Sequence, residues 1–276
     1  MKKVLNLVLV MMLALTAAFS MTACVDNNRP NSATGLLSKI NSEDVLIIYD
    51  YIGDAEVLDI AEELDIPDGI EKVRIKSTAF SGNGTIKTLI VPETVTEIEA
   101  GAFKNMKSLE KLTVPFVGKN ANSDAFQNES ASAEDKAVDS ERTIAHFFGA
   151  ESFDDGVSVT INYGASTTTC YMPAALKEIT VKSTAAYSIP MYAFSGATNF
   201  SKIVLGENVD AIGVNAFEGT WFASIVIPTS VKNIYEGAFK NATIKTVNVV
   251  GAQGSITIAE DAVGEDCEIK YNYVAE

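Results

Sequence analysis

The sequence is poor in the residues that most chemistry requires. It holds one histidine, three cysteines and one tryptophan in 276 residues. A zinc site takes three or four ligands, and no His/Cys cluster supplies them. Cys/His or Ser/His/Asp catalysis would have to run through His146, and no nucleophile-elbow motif accompanies it. Phosphate-loop and dinucleotide fingerprints are missing. The acidic stretches EELDIPD (62–68), ESFDDG (151–156) and EDAVGEDCE (260–268) lack the ligand spacing of a calcium loop and read as solvated turns. Basic residues are scarce, 21 against 36 acidic ones, for a net charge of −15. A surface this acidic excludes nucleic acid and anionic membrane as partners of its field. These absences lead us to expect a protein that is not an enzyme and that uses no cofactor or metal.

What is present begins with an address. Lys2 and Lys3 precede an apolar run from Val4 to Phe19, which is short for a membrane span, and Met-Thr-Ala-Cys follows at 21–24. This has the shape of an export signal. Small residues directly before Cys24 resemble the lipobox of bacterial lipoproteins, although leucine is usual where Met21 stands. That resemblance implies cleavage after residue 23, acylation of Cys24, and attachment to a membrane through the lipid. Each buried methylene of an acyl chain is worth ~0.8 kcal/mol. Residues 24–44 then read as the lipidated cysteine with a polar tether, and 45–276 as the folded domain. Export also permits a disulfide between Cys170 and Cys267. Their separation of about four repeats, roughly 19 Å at strand spacing, exceeds the ~7 Å that a disulfide allows, so no bond is expected.

The domain repeats itself at intervals of 22–24 residues. Units open at Ile86, Leu109, Leu176, Phe200, Phe222 and Ile244, and an Ala-Phe pair recurs at 79–80, 102–103, 193–194, 216–217 and 238–239. The start of each unit alternates apolar and polar, as in Ile225-Val226-Ile227, which is the period of a strand. Proline follows directly at 67, 92, 115 and 228 and ends the strand. A second apolar pair three apart, such as Val231 and Ile234, marks the returning side. Alanine then allows close backbone approach and phenylalanine fills the interior. No unit can bury its apolar side alone, so the units must stack. The stack puts Phe80, Phe103, Phe194, Phe217 and Phe239 into an aromatic spine.

Two parts do not repeat. Residues 47–60 alternate around Gly53-Asp54 and predict a β-hairpin that caps the N-terminal end. Residues 116–175 interrupt the array. Their first part is polar and reads as a surface loop, within which Asp124-Ala125-Phe126 is a candidate degenerate coil closure. Their second part holds two Thr/Val-rich strand candidates around Gly164. Trp221 falls at a coil junction, where packing is favoured over stacking on carbohydrate.

The units resemble BspA-type leucine-rich repeats, whose pattern is roughly L-x-x-I-x-I-P-x-x-V-x-x-I-x-x-x-A-F. LTVPFVGKN with HFFGA and MPAALKEITV resembles a longer variant repeat of that family, and YDYIGDAEVLDIAEELDIPDGIEKVRI its opening hairpin. The sequence departs from the pattern where Lys182 and Gly206 replace proline and where cysteine after Ala-Phe is missing. The resemblance implies a β-rich, right-handed leucine-rich-repeat solenoid with a parallel sheet along one face. It further implies display at the cell surface and roles in adhesion.

In such a solenoid the strand face presents Ile90, Thr113, Thr180, Val204, Val226 and Asn248 outward, an apolar and threonine-rich row. This row is the candidate binding strip, and a flat sheet of high β-propensity is its plainer reading. Three functions compete: a surface lipoprotein that binds an extracellular protein or glycan, a structural or assembly component of the envelope, and an exported enzyme. The residue inventory disfavours the last.

Overall fold

The computed structural model describes residues 35–121, 140–163 and 166–274. The signal, Cys24 and Asp124–Phe126 lie outside the described residues. Every repeat forms one coil of a β-solenoid. Its alternating start becomes a strand on one face, the proline corner turns the chain, and the second apolar pair returns on the opposite face. The strand face runs parallel through Val57–Asp59, Thr88–Ile90, Lys111–Val114, Glu178–Val181 and Lys202–Leu205. It continues through Ser224–Ile227, Thr246–Val249 and Glu268–Lys270. Lys202–Leu205 and Ser224–Ile227 lie side by side but do not join into one ladder. Lys182, Gly206 and Val250 each donate their N–H to a carbonyl of the coil before, at 2.8–3.0 Å, a bond that Pro115 and Pro228 cannot make at the same place in their coils.

The return face is parallel as well. Val45–Tyr51, Lys72–Ile75 and Val95–Ile98 form one part of it. Tyr187–Ile189, Val209–Ile212, Asn233–Ile234 and Thr257–Ile258 form the other.

A third ladder, which periodicity does not reveal, runs along the Ala-Phe corner. The N–H groups of Phe194, Phe217 and Phe239 donate to the carbonyls of Ala216, Ala238 and Ala262 in the next coil, each at 2.7 Å. Alanine recurs because its backbone is a rung and its side chain lies buried between coils. Directly before it the chain must turn at positive φ, 73° at Gly101 and 62° at Gly237, which glycine adopts without steric cost.

Inside, the rings form two runs. Tyr51, Phe80, Phe103 and Phe147 succeed one another at centroid distances of 6.1, 6.1 and 5.4 Å, tilted by 41–50°. Phe194, Phe217 and Phe239 stack at 5.1 and 5.2 Å, within 8° of parallel. All five phenylalanines of the expected spine are at most 1% exposed. Tyr51 and Phe147 are additions, since neither follows an alanine.

Two expectations about the N-terminal end need correction. The cap hairpin is formed by Leu36–Ile40 and Val45–Tyr51, antiparallel, and not by strands around Gly53-Asp54. Its turn is held by Asn41, whose side-chain oxygen accepts from the Glu43 and Val45 N–H groups at 3.0 Å. Gly53-Asp54 instead lies where the chain crosses from the return face to the strand face, pinned by a bond from the Ala55 N–H to the Tyr51 hydroxyl at 3.1 Å. Residues 36–44 therefore belong to the fold and not to the tether, because Leu36 buries its side chain in the core and Leu36–Ile40 pairs with the next strand.

The interruption closes its own coil with the helical turn Ala145–Phe148. The carbonyls of His146 and Phe147 accept the N–H groups of Gly101 and Phe103 at 2.7 and 2.9 Å, so the corner ladder runs on through the variant repeat. Gly156–Tyr163 and Ser166–Pro173 are the two strand candidates there, and they pair antiparallel. Val159, Ile161, Cys170 and Met172 face the core, while Ser158, Thr160, Thr167 and Thr169 are exposed.

Candidate binding surface

Side chains that could do chemistry are occupied with structure. His146 is 6% exposed, and its Nε2 lies 2.8 Å from the Ile98 carbonyl. A carbonyl only accepts, so Nε2 carries the proton and ties the variant turn to the coil before it. Burial pushes the Cys170 thiol up to about 12. The thiolate is the nucleophile, so Cys170 at neutral pH is an inert core thiol. Cys267 is half-buried, its thiol also raised by burial, and both cysteines are free. Among the described residues, no three acidic, histidine or cysteine side chains converge on a point where an ion would sit.

What remains is surface, built by the strands. Parallel register aligns Asp59, Ile90, Thr113, Thr180 and Val204 across five successive strands. Val226, Asn248 and Lys270 align across the other three. The six strip residues thus fall on two registered ladders of the strand face, Ile90 to Val204 and Val226 to Asn248, with Asp59 at the far end of one and Lys270 at the far end of the other. Ile90, Thr113, Thr180, Val204 and Val226 are half-buried, shielded by neighbours across the sheet. Asn248 is 7% exposed, so it offers a partner little. The adjacent row carries Thr88, Lys111, Glu178, Lys202, Ser224 and Thr246, with Lys202 and Glu178 paired at 3.3 Å.

Trp221 departs from its expected place in the packing. It is 61% exposed, between buried Thr220 and Phe222. Phe222 takes the inward position at the start of the strand, and the alternation turns Trp221 out. The equivalent residues of other coils are Thr85, Ser108, Ala175, Asn199 and Thr243, all small or polar. The sequence signal for this was the row itself: a tryptophan where every neighbour is small cannot be a core position.

On the side of the return strands lies a groove of about 820 Å3 whose walls include Glu71, Arg74, Glu93, Glu97, Phe116 and Thr184. Arg74 and Glu97 pair within it at 2.8 Å. Its lining carboxylates outnumber its cations, as on most of this molecule.

A family model described as BspA type leucine-rich repeat region matches residues 59–148 and 166–275 in six copies. No curated protein matches the chain. Among solved structures, the chain is similar to a leucine-rich cell surface protein from Faecalibacterium prausnitzii, at 17% identity and a TM-score of 0.34, over 77% of this chain and 52% of that one. It thus spans about half the length of that protein. A leucine-rich repeat protein from Eubacterium ventriosum follows at 19% identity and a TM-score of 0.28, over 79% and 71%. The pneumococcal vaccine antigen PcpA follows at 16% and 0.27, over 79% and 60%.

Proposed function

The chain belongs to the BspA-type leucine-rich repeat family, and from that premise we propose that it is an exported, non-enzymatic surface lipoprotein that binds an extracellular protein or glycan through its strand face. The observation that carries this reading is the strand face, whose rows run in register from Asp59 to Val204 and again from Val226 to Lys270. A flat, half-buried sheet of this length gives a partner many shallow contacts and no reaction centre. The inert environment of Cys170 and the structural bond of His146 support the absence of catalysis. The Lys2-Lys3 start, the apolar run and the small residues before Cys24 support export and lipid anchoring.

Two experiments test the reading. Purified mature protein is screened against matrix proteins and a glycan array, and Val204→Asp with Val226→Asp should abolish any hit while leaving the circular dichroism unchanged. Retained binding by the folded double variant would remove the strip from the mechanism. For the anchor, cells expressing the chain are fed an alkyne-tagged fatty acid. Label and membrane association should follow the wild type and vanish in Cys24→Ala.

A further inference from the structure

The strand face does not share the acidity of the chain. Over four consecutive coils its segments 177–182, 199–206, 220–228 and 243–250 carry Lys177, Lys182, Lys202 and Lys245 against a single acid, Glu178. Four lysines against one glutamate give this patch a net +3 on a protein of −15. Glu178 is held by Lys202, whereas Lys177, Lys182 and Lys245 are exposed and make no ion pair among the described residues. The patch is bounded by Glu110 on the preceding coil and Glu268 on the following one, each bonded through its backbone to a lysine coil.

Trp221 stands at the edge of this patch. The Thr243 N–H donates to the Thr220 carbonyl and the Lys245 N–H to the Ala223 carbonyl, both at 2.9 Å, so Lys245 flanks the tryptophan turn on one side. On the other side the Lys177 ammonium donates to the carbonyl of Asn199, the counterpart of Trp221 one coil earlier, at 3.3 Å. The exposed Trp221 therefore stands between the coil position that holds the Lys177 ammonium and the coil that carries the exposed Lys245, with Ala223, Ser224 and Thr243 exposed around it.

We propose that this patch, from Lys177 to Lys245 around Trp221, binds an anionic polysaccharide. The flat indole stacks on the C–H face of a sugar ring, the lysines pair with its carboxylate or sulfate groups, and the exposed hydroxyls of Ser224 and Thr243 meet its hydroxyls. Charge complementarity selects an acidic ligand, since the rest of the molecule repels one. An acidic protein fits less well. Tryptophan hot spots in protein interfaces seat in desolvated pockets, and Trp221 lies on an open floor of small and polar groups. Four coils span about 14 Å at strand spacing, enough for a short run of linked sugars. The inference rests on the strand face being the binding face, and names the ligand class for one part of it.

Because Trp221 is the only tryptophan, its fluorescence reports on the patch alone. Polygalacturonate and heparin are titrated into the purified mature chain, with neutral dextran and polyglutamate as comparisons. A saturable change of Trp221 emission with one of the acidic glycans, weakened by added salt, is expected, and none with dextran. Trp221→Ala and, separately, Lys177→Glu with Lys245→Glu should each weaken glycan binding about tenfold or more, with unchanged circular dichroism and melting temperature. Full affinity in both variants, or binding of polyglutamate and dextran as tight as that of the glycans, overturns the proposal. If no acidic glycan binds but a matrix protein is still captured in a Val204- and Val226-dependent way, the proposal falls and the strand-face reading stands. If nothing binds through that face, both fall.

Discussion

At the scale of single residues, the same side chain has different worth in different rows. Phe239 and Trp221 are both large aromatics, eighteen positions apart, yet one is fully buried and the other mostly exposed. Phe239→Ala leaves a cavity beside Phe217 and should cost about 3–5 kcal/mol in urea unfolding, whereas Trp221→Ala should leave the midpoint nearly unchanged. Gly196 shows the opposite sensitivity. It sits at φ 75°, and a Cβ there would collide with the Thr160 carbonyl of the hairpin. Gly196→Ala should lower the melting temperature measurably although it adds only a methyl group. Cys170 gives a pH signature. Its thiol titrates near 9 when free and at about 12 when folded. As pH rises above 9 the unfolded chain loses this proton and the folded chain keeps it, so stability falls between 9 and 12. Thermal melts across that range should show a steeper alkaline decline for the wild type than for Cys170→Ala.

At the scale of elements, the solenoid is held by three ladders of unequal continuity. The corner ladder runs from Phe103 through the variant turn to Ala262, and the strand face is interrupted at the Lys202–Leu205 and Ser224–Ile227 seam. Amide hydrogens of Ser224–Ile227 should exchange faster than those of Thr246–Val249, which has paired neighbours on both sides. Equal protection of the two strands would mean that the seam is closed in solution. The stacked rings couple neighbouring coils. A double-mutant cycle between Phe217→Ala and Phe239→Ala should return a coupling of about 0.5–1.5 kcal/mol, the double variant costing that much less than the sum of the single costs.

At the scale of the whole molecule, the coils form one core from Leu36 to Ala262, and stability is shared between neighbours. The end formed by the hairpin Leu36–Tyr51 closes that core. Deleting residues 24–51 should expose Val73, Ile75 and Phe80 and give aggregation in size-exclusion chromatography, where removal of residues 24–34 alone should not. The charge of the molecule is also distributed by the coil. The return side and turns hold most of the acids, and the strand face between Lys177 and Lys245 holds an excess of lysine. That asymmetry emerges only when positions 22–24 residues apart are laid side by side.

The repeat, its period, the inward strand residues and the parallel face were legible in the sequence, because each coil must place an apolar residue at the same phase to share a core with the next. The strands Gly156–Tyr163 and Ser166–Pro173 were legible for the same local reason, alternation of Thr and Val. The cap was placed one strand too late. Gly53-Asp54 has the composition of a tight turn, and Asn41–Asp44 builds one from side-chain bonds that composition does not display. The entry of Phe147 into the spine and the corner ladder were not visible, since both depend on ring contacts and backbone groups from coils 21–45 residues apart. Local periodicity determined what each residue faces within its own coil. Only the tertiary structure decided which residues meet between coils, because register across the stack is set by hydrogen bonds and ring contacts over long separations, and the surface around Trp221 exists only in that register.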